Sequence, residues 1–182
     1  MAKAIAVSEY KTVSAGVTAA DAMLKAADVD VLEAATVCPG KYIIIITGQL
    51  SSVRAAVDAA KNSYPVQHIG SFVLGNPHED LFSAIYGTAS IEELNALGIL
   101  ETFDVASMLV AADNAAKTSE VKLIEMRLAR GMCGKSYLML TGEVAAVTAA
   151  IEKAKQTAEN EGMYLDSSVI ARPDAKLIKS II

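Results

Sequence analysis

The chain is written twice, and that duplication limits its fold more than any other feature. Residues 5–33, "IAVSEYKTVSAGVTAADAMLKAADVDVLE", align without a gap on residues 97–125, "LGILETFDVASMLVAADNAAKTSEVKLIE", at an offset of 92. Glu9 falls on Glu101, Asp21 on Asp113 and Lys25 on Lys117. The register then moves by two. "GKYIIIITGQLSSVRAAVDAAK" (40–61) matches "GKSYLMLTGEVAAVTAAIEKAK" (134–155) at an offset of 94, and 71–85 matches 167–181 at 96. Slips of two fall in turns, where extra residues are tolerated. A period of this length is too long for a solenoid repeat and suits a small domain. The chain therefore reads as two tandem domains, 4–90 and 96–182, with a seam near "YGTASIEELNA" at 86–96.

Periodicity orders the elements within each copy. "AIAVSEY" is a short apolar strand. "SAGVTAADAMLKAA" carries Val17, Ala20, Leu24 and Ala27 at helical spacing, with Ser14 as a plausible N-cap. "VDVLEAATV" is rich in strand formers, "CPGK" is a turn and "YIIIIT" a buried strand. "SSVRAAVDAAK" places Val53, Ala56, Val57 and Ala60 on one helical face, and "HIGSFVLG" is a fourth strand before Pro77. The order is strand, helix, strand, hairpin, strand, helix, strand. That is the ferredoxin-like split β-α-β unit, an α+β fold with helices on one face of an antiparallel sheet.

Composition narrows the function classes. A hydrophobic fraction of 53% against 20% charged residues supplies a core and argues against disorder. The net charge of −5 and the absence of a basic run argue against nucleic acid. No apolar stretch approaches the ~20 residues a membrane helix needs. "MAKAIAVSEY" lacks a signal-like apolar stretch, so the chain is expected in the cytoplasm, with no membrane partner. No Ser-His-Asp set, phosphate loop or HExxH motif is present, so an enzyme is not expected. His68 and His78 have no ligand-spaced partner, which favours surface or interface roles. Glu9, Glu101, Asp21 and Asp113 read as structural carboxylates.

The two cysteines, Cys38 and Cys133, are poor disulfide candidates in a reducing compartment. A lone cysteine is more often a small apolar residue than a ligand. Yet Cys38 stands at the tip of "VCPGKY", where packing does not require it. Cys133 aligns with Pro39, one place after Met132, the counterpart of Cys38. It reads as a redox-sensitive neighbour, an extra ligand or a bland substitution, the last being favoured.

"AADAMLKAA", a following strand, a glycine-lysine turn and "GQLSSVRAAVDAA" resemble the shell-protein (BMC) domain of bacterial microcompartments. The match covers about 4–181 in both copies, and two copies in one chain resemble the tandem-domain class. The resemblance implies a homotrimer shaped as a pseudohexamer, a tile that packs with other shell proteins in a microcompartment shell. It implies that Cys38, Pro39, Gly40, Lys41, Met132, Cys133, Gly134 and Lys135 line a central pore. It places Lys25, Lys117 and Arg172 at the tile edge. The "CPGKY" turn further resembles members whose pore carries a [4Fe-4S] cluster, one per trimer, held through one cysteine per subunit; Cys38 matches that ligand. Such a cluster would serve electron transfer across the shell, with an encapsulated or cytosolic redox enzyme as partner, or cluster repair. The alternative is a plain tile whose pore conducts a metabolite, screened by pore size and the Lys41 and Lys135 charges.

Overall fold

The structure is a computed structural model that describes residues 4–91 and 94–181. Glu92 and Glu93 of the expected seam, and the last residue of the expected second domain, Ile182, lie outside the described residues. The first copy runs β1 (Ala4–Tyr10), α1 (Val13–Ala26), β2 (Val29–Val37), β3 (Lys41–Gly48), α2 (Leu50–Ser63), β4 (His68–Gly75) and α3 (Asp80–Tyr86). The second repeats it as β5 (Ala96–Thr102), α4 (Val105–Thr118), β6 (Val121–Leu128), β7 (Ser136–Gly142), α5 (Val144–Asn160), β8 (Tyr164–Ala171) and α6 (Ala175–Ile181). Each copy forms a four-stranded antiparallel sheet, ordered β2-β3-β1-β4 and β6-β7-β5-β8. This is the expected split β-α-β unit, plus one short helix after its last strand that periodicity did not separate.

Packing sorts the chain into two compact units that cross the repeat. One runs to Pro77 and takes in Ala129–Gly134; the other holds His78–Leu128 and the residues from Lys135 onward. Thus α3, which ends the first repeat in sequence, belongs to the second unit.

In the first unit, α1 and α2 cover one face of the sheet. Ala15, Ala19 and Met23 of α1 and Val53, Ala56, Val57 and Ala60 of α2 pack with Ala4, Ala6, Tyr10, Ile44 and Ile46. The face expected for α2 is the one buried. For α1 the structure corrects the sequence reading: Thr12, not Ser14, caps the helix by accepting from Ala15 N–H, and the buried face is Ala15, Gly16, Ala19 and Met23. Val17 and Leu24 point outward, being 52% and 51% exposed. Ala15, Gly16 and Ala19 let the helix lie close to the sheet, and Met23 fills the space at its far end.

At one end of this core Tyr10 donates to the Ala60 carbonyl at 2.5 Å. Burial pushes its phenol up to about 12. His68 meets the Tyr10 ring edge-on at 5.4 Å, and its Nε2 lies 2.7 Å from Ser71 Oγ. Burial first, and the Lys61 charge second, hold its imidazole below the usual 6.5. A depressed histidine contributes stability that is present above 6.5 and is lost as pH falls through the folded-state value. Denaturant midpoints are therefore expected to drop between about pH 7 and 5.5 in the wild type, and to drop less in His68→Gln. Equal slopes would remove His68 as the cause.

Among the described residues no helix is long and apolar enough to cross a membrane.

Candidate functional site

The β2–β3 connection is three residues long. Gly40 N–H donates to the Val37 carbonyl at 2.9 Å and closes the turn. Gly40 has φ +94°, a left-handed backbone that favours glycine. The Cys38–Pro39 peptide is cis. Cys38 is half-buried and free, so its thiol stands at the rim of the first unit, outside the core. Lys41 begins β3 and pairs with Glu9 at 3.0 Å. The recurring glutamate thus has its structural role in the first copy, and the Lys41 charge is already met.

The corresponding turn of the second copy is longer and irregular. Ala129, Gly131, Cys133 and Gly134 all take positive φ, between 53° and 89°. Residues 129–134 pack with the first unit, while Lys135 stays with the second. Arg130 Nε holds this loop to β2 through Glu33 Oε1 at 2.7 Å. That oxygen is buried and makes no well-angled hydrogen bond, so the Arg130 charge is what offsets its lost water. A methyl group placed on Gly134 would lie 3.6 Å from the Cys38 carbonyl oxygen. The structure therefore gathers Cys38, Pro39, Gly40, Met132, Cys133 and Gly134 in one compact unit. Among the described residues no group of three or more His, Cys, Asp or Glu side chains is placed to hold a metal.

The expected edge residues divide by repeat. Lys25 pairs with Asp21 at 2.6 Å on an exposed helix surface. Lys117 makes the same pair with Asp113 at 2.7 Å, but there the carboxylate is buried. Asp113 Oδ1 also accepts from the His78 backbone N–H at 2.8 Å. Arg172 and its repeat counterpart Asn76 share a left-handed backbone, φ +50° and +52°, each just before a proline.

The cause of this difference lies in the helix that follows. In the second unit α3 packs on β6 and α4, with Leu81 and Ala84 fully buried. The α4 stripe beneath is buried too: Val105, Leu109, Ala112 and Ala116. Their counterparts on α1 are Val13, Val17, Ala20 and Leu24, and Val17 is 52% exposed where Leu109 is 0%. The counterpart of α3 is α6, which has no buried residue, and Leu177, the match of Leu81, is 42% exposed. Each end of the duplication thus carries one half of a contact that the middle of the chain completes. Sequence reasoning passed over Arg130, Glu33, Leu81 and Leu177. The offset of 96 that pairs Leu81 with Leu177 was the available signal.

Two split β-α-β units in series, each with a trailing helix, define the tandem class of shell tiles. The chain belongs to the bacterial microcompartment shell-protein family: the BMC domain model matches residues 4–77 and again 96–173. It is similar to the bacterial microcompartment shell protein PduT of Citrobacter freundii, 35% identical over 182 residues, covering 100% of this chain and 99% of that one. A microcompartments protein from Desulfitobacterium hafniense DCB, solved as a crystal structure, is 42% identical with a TM-score of 0.95, covering 98% and 99% of the two chains. The carboxysome assembly protein CcmO of Synechococcus elongatus is 29% identical over 193 residues, covering 99% of this chain and 69% of that protein. The chain is a shell protein of a bacterial microcompartment, a body within the bacterial cytoplasm.

Proposed function

We propose that this shell protein works as a homotrimeric tile whose three-fold axis gathers three Cys38 thiolates around a [4Fe-4S] cluster. The observation that carries the reading is Cys38 itself, free and half-buried at the tip of the β2–β3 turn. One chain does not satisfy a cluster, which normally takes four thiolates. Three copies around an axis supply three and leave one iron for another ligand. The unpaired halves at the two ends of the chain support the ring: α6 of one copy fits the exposed α1 stripe and β2 of the next, as α3 fits α4 and β6 within the chain. Asp21 then waits for a backbone N–H at Asp174, as Asp113 receives His78.

When bound, the cluster would supply one-electron transfer across the shell, with a redox enzyme as the partner, or a reserve for cluster repair. The chain's own residues would place the thiol, through the Gly40 turn, and keep the neighbouring Lys41 charge neutralised by Glu9. That pairing also weakens the alternative of a metabolite pore screened by Lys41. Packing with other shell proteins along the Lys25, Lys117 and Arg172 edge belongs to the same reading.

Iron and acid-labile sulfide per chain, measured on anaerobically purified protein, test it. About four irons per three chains are expected, falling to none in Cys38→Ser while the oligomer persists. Iron-free protein that also resists reconstitution would leave a plain tile with a metabolite pore.

A further inference from the structure

We infer that Cys38 and Cys133 form a thiol pair within one subunit, which a peroxide closes to an intrachain disulfide. The pair goes beyond the cluster reading and does not depend on it. Two cysteines almost a hundred residues apart reach the same compact unit because the loop 129–134 crosses to it. The Arg130–Glu33 pair at 2.7 Å fastens that loop to β2, the strand that ends one residue before Cys38. At the other end of the loop, a methyl group built on Gly134 would stand 3.6 Å from the Cys38 carbonyl oxygen, so the loop's end lies beside the Cys38 turn. Cys133 lies between these two anchors, next to Gly134, and it is exposed. A disulfide needs α-carbons about 4.4–6.8 Å apart. The residue after Cys133 already stands beside the Cys38 turn, and the loop has glycines on both sides of Cys133, at 131 and 134, that let it adjust to that spacing.

The chemistry balances with hydrogen peroxide as oxidant. The exposed Cys133 thiolate attacks one peroxide oxygen, the O–O bond breaks, and hydroxide departs to take up the proton the thiol released, as the first water, leaving a sulfenic acid on the sulfur. The Cys38 thiolate then attacks that sulfur, the S–S bond forms, the S–O bond breaks, and hydroxide leaves as a second water. Two thiols lose two electrons and two protons, and the peroxide is reduced to two waters. The disulfide withdraws Cys38 from any other ligand.

The test uses the full chain in its cluster-free form, treated with hydrogen peroxide. Free thiols are expected to fall from two per chain to none, the intact mass to drop by two hydrogens, and a proteolytic digest to yield one peptide linking residues 38 and 133. Reductant restores both thiols. Cys133→Ser is expected to gain oxygen at Cys38 and form no intrachain link. Arg130→Met, which unfastens the loop, is expected to close the disulfide several-fold more slowly. Oxygen added to both cysteines of the wild type without a link, or links between chains on a non-reducing gel, would overturn the proposal. Because no iron is involved, the outcome is separate from that of the cluster assay.

Discussion

Leu177→Arg is expected to leave each chain folded and to abolish assembly, whereas Leu81→Arg is expected to prevent folding. The two leucines hold the same repeat position on α6 and α3. Leu81 is fully buried on the second unit, so an arginine there takes an unpaired charge into the core, a change that costs several kcal/mol. Leu177 is 42% exposed in the single chain, so arginine costs little until a partner covers it. Burial of one leucine contributes roughly 1.5–3 kcal/mol, and a three-membered ring repeats the contact three times. Light scattering after size-exclusion chromatography, with circular dichroism on the same fractions, separates the two results. A trimer of undiminished stability in Leu177→Arg would remove α6 from the interface. A monomeric wild type would remove the ring.

The second large effect is expected from Gly98→Val. A methyl on Gly98 would stand 2.8 Å from both Ile151 and Leu140 and 2.9 Å from Val147, closer than packed carbons approach. The three neighbours close in together, from β7 and α5, so all of them must shift to admit the added carbons. The repeat counterpart is Ala6, which the first unit buries without difficulty because Val57 and Ile46 stand where Ile151 and Leu140 do. Overpacking of this kind costs about 3 kcal/mol. In a chain of this size that is a fall of roughly 10 °C in Tm. A thermal melt within a degree or two of wild type would show that α5 moves away freely.

Much of the fold was legible because both copies state it. β1, β2 and β4 fall on the expected stretches, and the run of isoleucines forms the buried strand β3. The face of α2 was legible for a simple reason: past Leu50 at its start, Val53 and Val57 are its large apolar residues, and one sheet takes them. The face of α1 was not. Its apolar residues circle the helix, and the sheet takes Ala15, Gly16, Ala19 and Met23 while Val17 and Leu24 are left outside. Periodicity measures how apolar residues are spaced and does not say which of two apolar faces meets which surface. The candidate site divided in the same way. Cys38 stood out in the sequence because a cysteine at a Pro-Gly turn has no packing reason to be there. The Arg130–Glu33 pair gave no such signal, since its partners are 97 positions apart and charged residues are common.

The sequence by itself determined the duplication, the strand order within each copy and the family, because hydrophobic period, turn residues and repeated motifs are local properties. Only the tertiary structure decided where each copy's last helix goes. It set α3 on the second unit with Leu81 and Ala84 buried and left α6 with no fully buried residue, although the two helices are matched in sequence. It also carried the loop of Cys133 across to the turn of Cys38. Matched repeat positions reach different burial when the surface they fit lies on another part of the chain, and that surface is fixed by the connection, which no window of residues records.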